Sequence, residues 1–192
     1  MSVKILGGRA RGFPLATPKS ETRPTSVITK RKLFDWRQNL EGFIFVDVCA
    51  GSGAMAFEAL SRGAEAIFVN DSDRSAHITL KKNKEDVIRA FKFDDKSITI
   101  TSIDARKWVE KELPYQLPQT EDVILYLDPP YADHALYRDL IQALKERGFA
   151  GEVWVESDRL SGIQLAELTG LFHSVIKTVE QGDHFVVAGF LL

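Results

Sequence analysis

FIFVDVCAGSGA, residues 43–54, is the stretch that decides the fold of this chain. Its first half, 43–48, is an apolar run with the length of a buried strand. Gly51 and Gly53 allow a sharp turn and a close approach of the backbone to a ligand, because neither carries a Cβ. A helix that starts after such a turn presents free amide N–H groups. The order strand, glycine turn, helix predicts the first unit of a ligand-binding α/β sheet.

The same alternation continues along the rest of the chain. Strand-length apolar runs alternate with segments whose apolar residues recur at helical spacing. Buried strands that alternate with helices predict a parallel sheet covered on both faces. The predicted strands are 43–48, 65–70, 97–103, 122–127 and 151–156, and the predicted helices are 54–62, 73–92, 105–112 and 134–147.

The last part of the chain follows a different pattern. Residues 171–179 and 184–191 are strand-like runs joined by Glu-Gln-Gly-Asp at 180–183, which predicts a hairpin. These two strands complete a sheet of seven. We therefore predict an α/β, Rossmann-like fold with a doubly wound, mostly parallel seven-stranded sheet and an antiparallel strand near one edge.

Basic residues are concentrated at the amino-terminal end. Residues 1–39 carry nine lysines and arginines against two acidic residues, a net charge of +7, whereas 40–192 carry −9. Lysine and arginine neutralise phosphates, so the asymmetry indicates an anion-facing extension on an acidic body. A solvated tail without a partner would have the same charge. The predicted division is a basic arm and helix at 1–39 and an α/β domain at 40–192.

Within the extension, glycines and prolines predict an extended or hairpin-like arm over 1–24. Thr25 or Ser26 can cap a helix that runs to about Trp36. The basic run at 30–32 spans several faces of that helix. At least part of the run must therefore meet solvent or a charged partner.

The composition of the 192-residue chain, 44% hydrophobic and 27% charged, predicts one globular unit with a substantial core. The longest apolar stretch, 185–192, is far shorter than the ~20 residues of a membrane helix. The opening MSVKILGG does not predict a signal peptide. One cysteine and four scattered histidines offer neither a disulfide nor metal-ligand spacing. We expect a cytoplasmic protein without a metal site.

Glycines and an acidic residue near the first two strands predict a nucleotide-like cofactor. Asp71 stands 18 residues beyond Gly53, at the end of the second strand, where a carboxylate can accept hydrogen bonds from both hydroxyls of a ribose. Gly51, Gly53 and Ala56 also satisfy the loose dinucleotide fingerprint, which is weak evidence by itself.

Two features favour S-adenosyl-L-methionine over NAD. Asp47 precedes Gly51 by four residues and is placed for the ammonium group or water around a methionine moiety rather than for a pyrophosphate. Asp104 and Ala105 follow the third strand, where the exocyclic amine of adenine would need an acceptor. The alternative without a ligand is a plain turn in which Asp47 caps the helix.

The tetrapeptide Asp128-Pro129-Pro130-Tyr131, here called the DPPY loop, directly follows the predicted strand at 122–127. Proline donates no hydrogen bond and fixes φ near about −65°, so the strand ends in a stiff turn at the same edge of the sheet as the glycine turn. The Asp128 carboxylate and the Pro129 carbonyl can accept both N–H bonds of an exocyclic amine, and Tyr131 can stack on its base. A strand-terminating turn with a surface tyrosine is the alternative.

Together these motifs resemble class I S-adenosylmethionine-dependent methyltransferases that act on exocyclic amines. More narrowly, the chain resembles the RsmD-type family of bacterial 16S ribosomal RNA guanine-N2 methyltransferases. Gly-Gly-Arg at 7–9, Arg-Pro-Thr at 23–25 and DPPY form a specific combination, whereas DPPY alone is shared with adenine-N6 enzymes. The resemblance covers nearly the whole chain, and its other segments are 33–36, 47–63, 73–74 and Asn83.

The chain departs from the family pattern in three places. Residues 27–31 read Val-Ile-Thr-Lys-Arg where the family usually has Asp-Arg-Val-Arg-Glu. Asp71 replaces the usual glutamate, and Val48-Cys49 replace Leu-Phe. Contacts that relatives make through those side chains are not carried over to this chain.

The resemblance implies transfer of a methyl group to the N2 amine of a guanine in 16S ribosomal RNA, either free or within a partly or fully assembled small ribosomal subunit, by a monomeric enzyme. The expected catalytic residues are Asp128, Pro129, Pro130 and Tyr131. The expected cofactor-binding residues are Asp47, Cys49, Ala50, Gly51, Gly53, Asp71, Ser72, Asp104 and Ala105. The expected RNA-binding residues are Arg9, Arg11, Arg23, Lys30 and Arg31.

Three other functions fit parts of the sequence. An adenine-N6 methyltransferase acting on RNA or DNA would use the same DPPY loop. A non-catalytic RNA-binding assembly factor could keep the fold, although intact Gly51, Gly53 and Asp71 argue against it. An NAD-dependent oxidoreductase would leave both the DPPY loop and the basic extension unexplained.

Overall fold

A computed structural model of the chain describes residues 3–19, 27–113, 117 and 122–192. The strands are β1 (Val3–Lys4), β2 (Pro14–Leu15), β3 (Ile44–Asp47), β4 (Ala66–Asn70), β5 (Ile98–Thr101), β6 (Val123–Leu127), β7 (Glu152–Asp158), β8 (Ser174–Gln181) and β9 (His184–Phe190). The helices are α1 (Val27–Trp36), α2 (Ala54–Ser61), α3 (Arg74–Phe91), α4 (Ala105–Lys107), α5 (His134–Glu146) and α6 (Leu165–Gly170).

Seven strands form one sheet in the order β5-β4-β3-β6-β7-β9-β8. Strands β3 to β7 pair in parallel, and β9 runs antiparallel to both of its neighbours, β7 and β8. This arrangement confirms the predicted fold. The strand order reverses at β3, which lies between β4 and β6, and ligands of open α/β sheets bind at the carboxyl ends of strands beside such a reversal.

Alternate side chains of the central strands face two different helical layers. In β3, Phe45 packs in the cluster that includes α1, α2 and α3, whereas Val46 packs in the cluster that includes α5 and α6. Side chains alternate along a strand with a period of two, so a strand covered on both faces must be apolar at every position. The apolar runs in the sequence are continuous because these strands are buried on both faces.

The described elements differ from the predicted ones mainly near the carboxyl-terminal end. The run predicted as a strand at 171–179 enters the sheet only at Ser174, and the short helix α6 precedes it, which the sequence analysis missed. The predicted helix at 105–112 consists of α4 followed by a π-helical turn at Trp108–Glu112. The proposed caps of α1, Thr25 and Ser26, lie outside the described residues, while α1 ends at Trp36 as predicted.

Strands β1 and β2 form an antiparallel hairpin, as predicted for the amino-terminal arm. The hairpin packs on the end of α2, where the amides of Arg9 and Ala10 donate to the carbonyl and the hydroxyl of Ser61 at 2.7 and 2.8 Å. A Cβ on Gly8, whose φ is +71°, would lie 1.9 Å from the Ser61 carbonyl oxygen. The close contact therefore requires glycine at this position. The division of the chain at residue 39 stays a prediction.

Lys30 corrects one prediction about the basic extension. Its side chain is 1% exposed, and its ammonium donates to the Lys4 carbonyl at 2.8 Å and lies 3.4 Å from the Glu58 carboxylate. Burial lowers its pKa, and the charge of Glu58 opposes that effect. Lys30 is thus bound inside the protein, and the expectation that it contacts RNA is wrong. Arg31, the next residue, is exposed.

No helix in the described parts of the chain has the length and apolarity needed to cross a membrane.

Glu58 joins the hairpin, α1 and α2. Its fully buried carboxylate accepts from the Leu6 amide at 2.6 Å and from Arg62 Nε at 2.8 Å, in addition to its pairing with Lys30. Glu58→Gln leaves two buried or nearly buried cations without a counter-charge, so we expect a loss of about 3–5 kcal/mol in the free energy of unfolding.

Urea unfolding at neutral pH measures this loss. The control is Arg138→Ala, which breaks the exposed pair with Glu167 and should change the free energy of unfolding by less than about 1 kcal/mol. Equal losses in the two variants would contradict a role for Glu58 as the buried junction.

Candidate active site

The carboxyl ends of β3, β4, β5 and β6 surround a cavity of about 630 Å³, here called the rim cavity. Cavities of roughly 300–1,000 Å³ are typical of small-molecule sites. The parallel pairing of adjacent strands brings their following loops to one edge of the sheet. The predicted site residues that line the rim cavity are Cys49, Gly51, Asp71, Ser72, Asp104, Ala105, Asp128, Pro129, Pro130 and Tyr131.

A smaller cavity of about 40 Å³ shares Cys49, Gly51 and Asp128 with the rim cavity. Asp47 and Ala50, also predicted site residues, line this smaller cavity. The structure thus brings all but one of the predicted catalytic and cofactor residues to two adjoining cavities. The exception is Gly53, which lines neither of them.

Gly53 instead shapes the turn that leads into α2. Its φ is +76°, and that of Gly51 is +53°, values that glycine adopts without strain. A Cβ on Gly53 would lie 2.7 Å from Leu80 Cδ2 and 2.8 Å from Phe57 Cε2. Gly53 is also the N-cap of α2 and offers no side chain to bond the first amides of that helix. The turn therefore leaves the helix start available to a ligand.

Asp71 is held firmly at the edge of the rim cavity. Its two carboxylate oxygens accept from the amides of Gly51 and Asp73, each at 2.8 Å. Each oxygen keeps a further lone pair for a ligand hydroxyl. Burial raises the pKa of Asp71, and the two amide bonds oppose the shift. The bond to Gly51 also ties the end of β4 to the glycine turn.

Asp47 is buried at the end of β3 with a relative exposure of 1%. The amide of Ala56, in the first turn of α2, acts to lower the pKa of its carboxylate, an interaction that the capping alternative also predicts. The Oδ1 atom of Asp47 is buried and has no hydrogen-bond partner among the described residues. Burial, reinforced by the charge of Asp71, raises the pKa of Asp47 to about 8. A cation in the adjoining cavity would satisfy this carboxylate.

Asp104 and Cys49 complete the lining of the rim cavity. Asp104 caps α4 by accepting from the Lys107 amide at 3.2 Å, and it lines the cavity beside Ala105. The Cys49 thiol has its pKa raised well above the ordinary value by burial and by the charges of Asp71 and Asp128. Cys49 therefore remains a neutral packing residue rather than a nucleophile.

The DPPY loop is stiffened by its surroundings as well as by its prolines. The Tyr137 hydroxyl, which is fully buried on α5, shares its one proton between the Glu156 carbonyl at 2.9 Å and the Pro129 carbonyl at 3.3 Å. The Asp133 amide donates to the Pro130 carbonyl at 2.9 Å, and its side chain caps α5. A carbonyl has two lone pairs, so Pro129 can still accept from a substrate.

Sequence reasoning missed Asn70, the last residue of β4. Its side chain is 1% exposed and makes four hydrogen bonds. The amide group donates to the carbonyls of Val48 and Ile103 at 3.1 and 2.9 Å, and the oxygen accepts from the Thr101 hydroxyl and the Ile103 amide at 2.9 and 3.0 Å. Asn70 therefore braces the ends of three strands. No local sequence pattern marks such a residue, because its partners lie far away along the chain.

A second asparagine connects the amino-terminal segment to the site. Asn83 on α3 accepts from the Ala16 amide at 2.8 Å and donates to the carbonyls of Ala16 and Ser52 at 3.0 and 2.9 Å. Pro18, two residues further on, lines the rim cavity. The amino-terminal extension thus supplies one wall of the candidate site, which the sequence analysis did not anticipate.

The predicted RNA-binding residues are not gathered at the rim cavity. Arg9 donates to the Phe91 carbonyl and lies 4.9 Å above the ring of Phe93, at the far end of α3. An 18-residue helix is about 27 Å long, so this end lies well away from the rim. Arg11 follows in the same exposed hairpin turn.

The middle of α1 contacts the turn between β8 and β9 instead. Lys32 donates to the carbonyl of Glu180 and to the Gln181 side chain at 2.9 and 2.8 Å, next to the start of β9. Arg31 is exposed beside it, whereas Arg23 lies outside the described residues.

Sequence comparisons find related proteins over most of the chain. The sequence model of a family described as "Conserved hypothetical protein 95" matches residues 3–182. The Ribosomal RNA small subunit methyltransferase D of Escherichia coli is 28% identical over 166 residues, which cover 84% of this chain and 77% of that protein. The enzyme of the same name from Haemophilus influenzae is 33% identical over 134 residues, 67% of this chain and 64% of that protein.

A structural comparison finds the same fold. The Escherichia coli protein yhhF superposes with a TM-score of 0.76 at 24% identity, and the match covers 98% of this chain and 97% of that one. The match extends through the amino-terminal extension as well as the sheet.

The raised pKa of Asp47 predicts a pH dependence of stability. In the folded protein, Asp47 keeps its proton up to about pH 8. In the unfolded chain, an aspartate releases its proton at about pH 4. The folded state binds more protons in that interval, so we expect the free energy of unfolding to fall as the pH rises through it. Asp47→Asn cannot ionise and should flatten the decline.

Urea midpoints measured from pH 5 to pH 9 check this expectation. Asp35→Asn, on the exposed side of α1, is the control and should follow the wild-type profile. Parallel profiles for wild type and Asp47→Asn would mean that Asp47 is ionised in the folded protein.

Proposed function

This chain belongs to the RsmD-type family, whose model carries the description "Conserved hypothetical protein 95", and from that premise we propose that it is an S-adenosylmethionine-dependent methyltransferase of 16S ribosomal RNA. The proposed target is the exocyclic N2 amine of a guanine. The proposed enzyme works in the cytoplasm as a monomer, on RNA that is free or already part of a small ribosomal subunit.

One observation carries the proposal. Asp128 lines both the rim cavity and the smaller cavity that holds Asp47, so the proposed amine acceptor lies beside the proposed cofactor site. The DPPY loop and the glycine turn meet there because β6 pairs directly with β3. A methyl transfer requires its two reactants in line and in contact, which this arrangement favours.

The residues at the two cavities fit S-adenosylmethionine. The buried, unpartnered Oδ1 of Asp47 is suited to an ammonium group or to a water that bridges to it. Asp71 is fixed at the rim with acceptor capacity for ribose hydroxyls. When bound, S-adenosylmethionine supplies a methyl group on a positively charged sulfur, and the acidic surroundings of the cavity favour that charge.

The chain's own residues would prepare the target amine. The Asp128 carboxylate and the Pro129 carbonyl accept its two N–H bonds, which directs the nitrogen lone pair toward the methyl group. Tyr131 stacks on the base and keeps it out of its helix. No basic side chain is needed to begin the reaction, because the amine can lose its proton after it has attacked.

The identity of the methylated nucleoside tests the proposed function. The protein is incubated with labelled S-adenosylmethionine and with RNA or small subunits from a strain that lacks the modification, and mass spectrometry identifies the product. N2-methylguanosine supports the proposal. N6-methyladenosine would favour the adenine alternative, and RNA binding without methylation would favour an assembly factor.

Asp128 and Asp71 are expected to act at different steps. Asp128→Ala should lower the rate of methyl transfer by at least about 100-fold, because an acceptor that positions the amine is lost, while cofactor binding changes little. Asp71→Ala should weaken cofactor binding at least tenfold, because two charge-assisted hydrogen bonds worth roughly 1.5–3 kcal/mol each are removed.

Calorimetric titration with S-adenosylmethionine and a single-turnover methylation assay separate the two effects. Asp128→Asn keeps one acceptor oxygen and should retain more activity than Asp128→Ala. Weak cofactor binding in Asp128→Ala, together with normal turnover at saturation, would reverse the assignment.

The proposed RNA surface consists of the exposed arginines of the amino-terminal extension, now without Lys30. Arg31 lies next to Lys32, which contacts the turn between β8 and β9, and Arg9 and Arg11 lie at the far end of α3. Because the rest of the chain is acidic, these arginines are the expected partners of the phosphates. Contact at both places would require an RNA surface larger than one nucleotide, as a ribosomal subunit offers.

RNA affinity should therefore depend on salt, and replacing Arg9, Arg11 and Arg31 together by alanine should weaken binding and flatten that dependence. Each phosphate contact contributes a slope of roughly 0.7–0.9 in log affinity against log salt. Filter binding at several salt concentrations measures the slope. The Arg9→Ala/Arg11→Ala pair and Arg31→Ala alone divide the effect between the two places. Parallel lines of equal height for wild type and triple variant would show that another surface holds the RNA.

A further inference from the structure

Glu156, on β7, is the centre of a buried hydrogen-bond cluster beneath the DPPY loop. Its side chain has a relative exposure of 0%. Oε1 accepts from the Tyr131 hydroxyl at 3.2 Å, and Oε2 accepts a short hydrogen bond from the Tyr126 hydroxyl. Its backbone carbonyl accepts from the Tyr137 hydroxyl at 2.9 Å. One residue thus contacts three tyrosines, one of which belongs to the DPPY loop and another of which bonds its Pro129 carbonyl.

The burial of the Glu156 carboxylate lowers the stability of the fold more than the burial of a neutral hydrogen-bond acceptor would. Among the described residues, no lysine or arginine forms an ion pair with it, and burial raises its pKa to about 7. A buried carboxylate without a cation costs stability, so its presence needs a reason other than stability. Such costs are concentrated at functional sites.

Tyr131 is held from two strands at once. Besides its bond to Glu156, its hydroxyl lies 3.3 Å from Nδ1 of His184, at the start of β9, and the two ring centroids are 5.8 Å apart. His184 pairs with Asp158, two residues beyond Glu156 on β7, so both partners of the hydroxyl belong to one pair of hydrogen-bonded strands. The position of the Tyr131 ring is therefore fixed by contacts with the sheet as well as by the DPPY loop.

We propose that Glu156 is a positioning residue of the methyl transfer: its carboxylate holds the Tyr131 hydroxyl against His184 and so fixes the ring on which the target base stacks. The inference rests on the proposed function for the role of Tyr131. Glu156 itself touches neither the base nor the cofactor, because its side chain is fully buried and lines neither cavity. It acts through the orientation of one aromatic ring.

A positioning role differs from a purely structural one in its kinetic signature. Tyr131→Phe removes the hydroxyl but keeps the stacking ring, and Glu156→Gln keeps the shape but offers one acceptor oxygen instead of two. Each should lower kcat on the order of 10- to 100-fold, since small misplacements of a reactant have effects of this size. KM for S-adenosylmethionine should stay within about twofold, because neither group contacts the cofactor.

The combined variant tests whether the two residues act together. If Glu156 works through the Tyr131 hydroxyl, Tyr131→Phe/Glu156→Gln should be no slower than Tyr131→Phe alone, because coupled residues do not add. The matched control is Glu152→Gln, a second buried acid on the same strand, which bonds Trp154 and Arg37 at the opposite end of β7. It should lose stability but keep kcat. Additive losses, or an equal loss of kcat in Glu152→Gln, would overturn the proposal.

A measurement without catalysis separates this proposal from the proposed function. 3-Fluorotyrosine is placed at position 131, and its ¹⁹F signal is recorded in the whole protein without RNA. One narrow signal is expected with Glu156 and with Glu152→Gln, and a broadened or divided signal with Glu156→Gln. An unchanged signal in Glu156→Gln would overturn the positioning role. Absence of methyl transfer by the wild type would count against the proposed function only, and the fluorine signal would still decide the role of Glu156.

Discussion

The direct pairing of β3 with β6 is the constraint on which the site depends. β3 receives β4 on one side and β6 on the other, so three chain segments that are distant in sequence end at one edge of the sheet. The glycine turn, Asp71 and the DPPY loop are thereby brought to a single cavity. Apart from the other two, each of these segments would be only a turn that connects a strand to a helix. Their chemistry arises because parallel pairing aligns the carboxyl ends of neighbouring strands.

The same edge is acidic, although the proposed substrate is RNA. Asp47 and Glu156 are buried there with raised pKa values, and Asp71 and Asp128 line the cavity. A concentration of carboxylates suits a positively charged cofactor but repels phosphates. This conflict explains why phosphate-binding groups would be placed outside the cavity, on the amino-terminal extension. Under the proposed function, the charge separation along the sequence corresponds to two surfaces with different ligands.

The amino-terminal extension is joined to the site by buried polar contacts. Glu58 connects the hairpin to α1 and α2, and Asn83 connects the segment after β2 to α3 and to the glycine turn. Pro18 then forms part of the cavity wall. An extension that binds RNA and also borders the cofactor cavity provides a physical connection between the two proposed ligands. Its hairpin and helix share one hydrophobic cluster with the sheet, so the basic charge is carried on a packed surface.

The sheet could be predicted from the sequence, because apolar runs separated by helical segments indicate burial on two faces. Each predicted run corresponds to a strand within a few residues. The sequence also determined the glycine turn and the DPPY loop, because local backbone conformation depends on glycine and proline wherever they occur. The burial of Lys30 could not be predicted in this way, since it depends on Glu58, which is 28 residues away along the chain. The same holds for Asn70, Asn83 and Glu156, whose roles come from partners on other elements. A local pattern encodes backbone shape and burial, whereas the pairing of polar groups depends on which distant residues the fold places beside them.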